Sequence, residues 1–148
     1  EAPYLRELGA SEVMLRSSID LAKMRPLDRA RWAGAVDNLG GDILAWIAST
    51  MQQGGTIASI GMAANMALNT TVAPFILRGV SLLGIDSGYI GEPYRSLVWQ
   101  RLAGDLKPRH LTSMVRRIAF DDLPAVFPEM IAGRGKGRVV VEIGGEPA

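Results

Sequence analysis

The chain has no cysteine and a single histidine, His110. The missing thiols exclude disulfides and thiolate metal ligands, and fit a reducing compartment. Together the two absences exclude histidine–cysteine and multi-histidine metal centres, and the scattered carboxylates show no ligand spacing, so no metal site is expected. Long apolar runs are missing as well: nothing approaches the ~20 residues of a membrane helix, and no secretory signal pattern opens the sequence. A cytoplasmic location and no membrane partner are the expectation. Excess charge of one sign is also absent. The 16 basic and 15 acidic residues are interspersed, which argues against a nucleic-acid tract or an acidic tail. What remains is a globular balance of 48% hydrophobic against 21% charged residues, in a chain long enough to bury one core.

The catalytic inventory is thin. His110 lies in "DLKPRHLTS" with no acidic or nucleophilic partner nearby in sequence, and reads as a solvated loop residue. "SIGMA" is not the G-x-S-x-G nucleophile elbow. Asp121 and Asp122 precede a helix and read as caps. Gly40-Gly41 could in principle cradle an anion at a helix start, but a simple helix start is preferred. Arg134, Lys136 and Arg138 form a small basic cluster whose default reading is a solvated turn. No residue is assigned as catalytic.

Periodicity gives a regular alternation. "PYLRELG" reads as a helix closed by Gly9, and residues 12–15 as a brief strand after it. Residues 32–37 form a small-residue strand. "DILAWIASTMQQ" is an amphipathic helix stopped by Gly54-Gly55, with Ile43, Ile47 and Met51 on one stripe. Strands follow at 56–60, 80–85 and 138–143. Helical spacing returns in "PYRSLVWQRLAGDL" and in "DDLPAVFPEMIAG", despite Pro128. Such alternation means βα units around a mostly parallel sheet, in which ligands bind beyond the carboxyl ends of the strands. Gly61, Ala63 and Ala64 follow one such end, so they could let a flat ligand approach the main chain. The competing reading is that Gly61 merely turns the chain.

"YLRELGASEVMLR", "RPLDRARWAGAVDNLGG", "GGTIASIGMA", "TTVAPFILRGVSLLGIDS", "WQRLAGDL" and "GRVVVEI" together resemble the medium-chain dehydrogenase/reductase superfamily. More narrowly, they resemble its zinc-free quinone-oxidoreductase branch, which includes NADPH-dependent acryloyl-CoA reductases. The resemblance implies an α/β fold: an incomplete Rossmann domain (a doubly wound parallel sheet) lacking its first two strands, followed by the segment that returns to a GroES-like catalytic domain. Residues 1–105 would be the partial NADPH-binding domain and 106–148 the return segment. The strands at 12–15, 32–37, 56–60 and 80–85 would be the third to sixth. No G-x-G-x-x-G is present.

Carried over onto matching positions, the resemblance implies five cofactor contacts. Arg16 falls near the adenosine phosphate end, and Met62 beside the cofactor. Ile76 and Ser87 line the nicotinamide and its carboxamide, and Gly133 lies in a further contacting turn. It implies NADPH as cofactor, no zinc, a small-molecule substrate and no nucleic acid. It also implies a homodimer through the edge strand running from Val80 to Asp86. The function expected is the C-terminal portion of an NADPH-dependent reductase of an activated C=C bond, of acryloyl-CoA or quinone/enone type, inactive as this chain alone. The alternative is a non-catalytic α/β module that mediates dimerisation through that edge.

Overall fold

The computed structural model describes residues 2–144. The chain forms two compact units: Met14–Glu92, and the segments Glu1–Val13 and Pro93–Ala148 together.

The Met14–Glu92 unit is built on three parallel strands, β1 (Trp32–Asp37), β2 (Met51–Ser59) and β3 (Ser81–Gly84), in the order β1-β2-β3. Helix α2 (Gly41–Thr50) links β1 to β2, and α3 (Ala73–Arg78) links β2 to β3. Side chains alternate between faces along each strand. The row Ala35, Ile57, Leu82 turns toward α2 and α3, where Leu44, Ala48, Met51, Ile57 and Val80 form the core with Phe75 packed beside them. The opposite row, Val36, Ala58, Leu83, is left open, with Val36 67% and Leu83 50% exposed.

Two expectations are corrected here. Residues 12–15 do not form a strand, because no neighbouring strand accepts their backbone hydrogen bonds. Helix α2 stops at Thr50 and not at Gly54-Gly55. The Thr50 hydroxyl donates to the Trp46 and Ile47 carbonyls (2.9 and 3.0 Å), and Met51 is already extended. Gly54-Gly55 instead lie in β2, where the pairing with β1 jumps from Trp32↔Met51 to Gly34↔Thr56 and the surplus residues bulge out. Helix α3 itself was not expected from the sequence.

Arg78 ties this unit together. Its guanidinium donates to the carbonyls of Ser49 (2.9 Å), Met51 (2.9 Å) and Asp28 (2.5 Å), joining the end of α2, the start of β2 and a loop. Arg78→Ala is expected to cost about 2 kcal/mol, since charged donors to several carbonyls exceed an ordinary hydrogen bond. Arg78→Lys should recover little, because one ammonium cannot span three carbonyls. Urea midpoints of both variants test this, and a lysine variant as stable as the parent would refute it. In the same loop, the Arg29 N–H and the Arg25 guanidinium hold the Asp28 carboxyl below the usual carboxylate range. Its small contribution is therefore present above the unfolded-state pKa and lost as pH falls through the lowered folded one.

In the other unit, α1 (Ala2–Glu7) and α4 (Tyr94–Ala103) accompany a parallel pair, β4 (Val115–Ala119) and β5 (Arg138–Glu142), joined through α5 (Leu123–Ile131). Strand β4 is absent from the sequence reading. Asp122 stands at the N-cap of α5 but makes no side-chain cap bond. No helix among the described residues is long and apolar enough to cross a membrane.

Candidate functional site

The three strands of the Met14–Glu92 unit end in register: Asp37 pairs with Ser59, and Ser59 with Gly84. Their exit loops therefore leave one edge of the sheet side by side. In parallel sheets this carboxyl edge is where ligands bind.

The first two exit loops are interlocked. Asp37, only 2% exposed, accepts N–H bonds from Leu39 (3.1 Å) and Gly40 (3.1 Å) and the Ser59 hydroxyl (3.3 Å). Its own carbonyl accepts the Ile60 N–H at 2.9 Å. The Asn38 carbonyl takes the N–H of Ala63, and the Leu39 carbonyl takes those of Ala64 and Asn65. A Cβ on Gly61 would stand 2.6 Å from the Asn38 carbonyl oxygen. Gly61 thus serves a close approach of chain to chain, as its reading as a turn expects, while Ala63 and Ala64 stay exposed beside it. Likewise the Gly40 amide is taken by Asp37, so Gly40-Gly41 is a helix start and not an anion cradle.

Met62, between the interlocked residues, is 64% exposed. The third loop is shaped by Asp86, whose carboxylate accepts the N–H groups of Gly88 (3.2 Å) and Tyr89 (3.3 Å) around Ser87. Met62 and Ser87 are thus presented on loops leaving neighbouring strands. Ile76 lies in α3 between those strands, its side chain 75% exposed. Arg16 sits in a single 3-10 turn (Arg16–Ser18) ahead of β1, outside the sheet. Gly133 follows α5 in the other unit. Sequence reasoning missed Asp37, Asn38 and Asn65. The available signal was an aspartate closing an apolar strand with glycine three residues on, the spacing of a side chain turning back to cap its own loop. Among the described residues, no group of His, Cys, Asp or Glu is placed to hold a metal ion.

No protein-family model matches the chain. It is 42% identical over 143 residues to YhfP of Bacillus subtilis, whose name assigns it provisionally to the quinone oxidoreductases. It is 42% identical over 144 residues to the acrylyl-CoA reductase AcuI of Ruegeria pomeroyi. Each match covers 96% of this chain but 43% of the relative, so the chain spans less than half the length of either. The crystal structure of YhfP with NAD bound superposes with a TM-score of 0.88, covering 96% of this chain and 44% of that one. That of Escherichia coli YhdH with bound NADPH superposes at 0.82 with 39% identity, covering 94% and 42%. The chain is homologous to these medium-chain dehydrogenase/reductases. The α/β class and parallel Rossmann-type sheet expected from the sequence accord with this family. A more distant likeness, to benzyl alcohol dehydrogenase from Acinetobacter calcoaceticus at 22% identity and a TM-score of 0.67, shows the shared fold alone.

Proposed function

We propose that this chain is the C-terminal portion of an NADPH-dependent oxidoreductase that reduces an activated C=C bond, of acryloyl-CoA or quinone/enone type. The observation that carries the reading is its match, at 39% identity and a TM-score of 0.82, to a protein crystallised with NADPH. Residues 1–105 would then be the cofactor-binding part and 106–148 the return segment. NADPH supplies the hydride when bound. The chain's own residues bind and orient: Met62 and Ile76 offer exposed apolar surface, and the Ser87 hydroxyl offers a hydrogen-bonding group beyond β3. Arg16 would face the adenosine phosphate end, and Gly133 belongs to a further contacting turn. No zinc and no catalytic side chain of this chain are invoked.

Two structural facts support a portion of a larger protein. Parallel sheets are covered on both faces, yet the row Val36, Ala58, Leu83 is open. The fit to a dinucleotide is also partial, since the carboxyl-edge loops are present but no glycine-rich first turn is. A homodimer in the cytoplasm, paired along β3, accords with the unpaired outer edge of that strand among the described residues. That same edge favours the second reading, a non-catalytic module for association.

NADPH fluorescence titration of the 148-residue chain, with its intact mass and solution mass measured alongside, tests the proposal. Without the pyrophosphate turn the Kd should be about 1 mM or weaker, with no reductase activity and at least a dimer in solution. A tight monomeric NADPH complex would overturn the reading. A longer polypeptide carrying this chain should bind NADPH saturably and reduce acryloyl-CoA; failure there would favour the association module.

A further inference from the structure

The unit containing α1 and the segment from Pro93 onward holds two hollows, about 550 and 340 Å³, that share Leu8, His110 and Met114 as walls. Lys136, Arg116 and Tyr4 line the larger, and Arg109 the smaller. The one carboxylate lining either is that of Glu7, in the larger hollow.

The cationic side is held in place by backbone. A Cβ on Gly137 would fall 2.3 Å from the Met114 carbonyl oxygen, and its φ of +69° is one that side chains rarely adopt. The turn carrying Lys136 therefore lies directly against the chain entering β4. The Lys136 ammonium stands 4.2 Å above the centre of the Tyr4 ring. Arg116 is paired with Glu129 at 2.9 Å, which engages one of its nitrogens and leaves the others. Lys136, Arg109 and His110 have no ion-pair partner among the described residues. On the wall below, the Ser113 hydroxyl donates to the His110 carbonyl at 2.9 Å, which fixes the turn bearing the imidazole. Two cationic side chains, Lys136 and Arg116, and the His110 imidazole thus line one hollow, beside an apolar wall of Leu8, Met114 and Val115.

We propose that this cleft binds a phosphate ester, with the phosphate among Lys136, Arg116 and His110 and the organic body extending along Leu8 and Met114 toward Arg109. Two charged donors and an imidazole around one hollow suit a phosphate, and the second hollow gives room for what it is attached to. The inference goes beyond the proposed reductase reading, which places Gly133, at the start of the turn carrying Lys136, at the cofactor.

His110 is the only histidine, so its ring-proton NMR signals are a single local reporter. The experiment titrates the 148-residue chain with inorganic phosphate and, separately, with adenosine 5′-monophosphate, using sodium chloride at matched ionic strength as control. A saturable His110 shift with a Kd of about 1 mM or tighter is expected, with none from chloride. Lys136→Met should weaken binding at least ~5-fold, and Arg116→Gln similarly, because each removes a charged donor. Lys23→Met, at an exposed pair in the other unit, should change nothing. Binding of the monophosphate several-fold tighter than phosphate is expected, and equal affinities would overturn the assignment to a phosphate ester. A non-saturating shift, an equal response to chloride, or unchanged curves in folded Lys136→Met and Arg116→Gln variants would overturn it.

Discussion

Gly61→Ala should destabilise the chain by about 2–4 kcal/mol, far beyond the usual effect of adding one methyl. The added Cβ would lie 2.6 Å from the Asn38 carbonyl oxygen and 3.1 Å from its carbonyl and α carbons. All three obstacles are backbone, so no side-chain rotation relieves them. The strand-exit loop would have to move, and with it the N–H bonds from Ile60, Ala63 and Ala64 that hold it to residues 37–39. Because Met62 is the next residue, the displacement should reach the exposed edge as well. Urea unfolding reads the first effect, and backbone amide NMR shifts of residues 60–65 read the second. A variant within about 0.5 kcal/mol of the parent, with those amides unmoved, would show that the two loops are not in the contact described here.

That interlock also explains which parts of the molecule were legible in the sequence. Strands β1, β2 and β3 announce themselves through apolar β-type runs, and α2, α4 and α5 through helical spacing. Strand β4 was hidden because "VRRIA" has charges on two consecutive positions, which breaks the alternation of a half-buried strand; both arginines are exposed and ion-paired, to Glu129 and Glu142. Helix α3 was hidden because six residues are too few to show a period. The boundary at Thr50 was misplaced because Met51 continues the apolar stripe of α2, although its side chain reaches the core from the strand. The site was legible only in outline. Composition places small residues after β2, but whether they face a ligand or another loop depends on Asp37 and Asn38, which are 20 or more residues earlier in the chain.

Asp37→Ala should be the other severe substitution, at about 3 kcal/mol. Its carboxylate is the buried acceptor for three donors, the N–H groups of Leu39 and Gly40 and the hydroxyl of Ser59. Truncation leaves those donors without the partner around which the loop is folded, and an unsatisfied buried donor costs more than a completed bond gains. The cavity left at the strand end adds to this. Asp37→Asn separates the contributions: its carbonyl oxygen at the Oδ1 position can keep the N–H groups of Leu39 and Gly40, while its amide nitrogen at the Oδ2 position meets the Gly40 N–H where an acceptor is required. It should therefore lose roughly half as much as alanine. Ser59→Ala removes only the weakest of the three bonds and should cost about 1 kcal/mol or less. The two sites share a partner, so their effects should not add. Once Asp37 is alanine, deleting the Ser59 hydroxyl removes an orphaned donor and should cost nothing further, or restore a little stability. Urea midpoints of the two single variants and the double variant decide the matter. Strict additivity would mean that Ser59 and Asp37 act independently, and that the first two strand exits are joined by their backbone bonds alone.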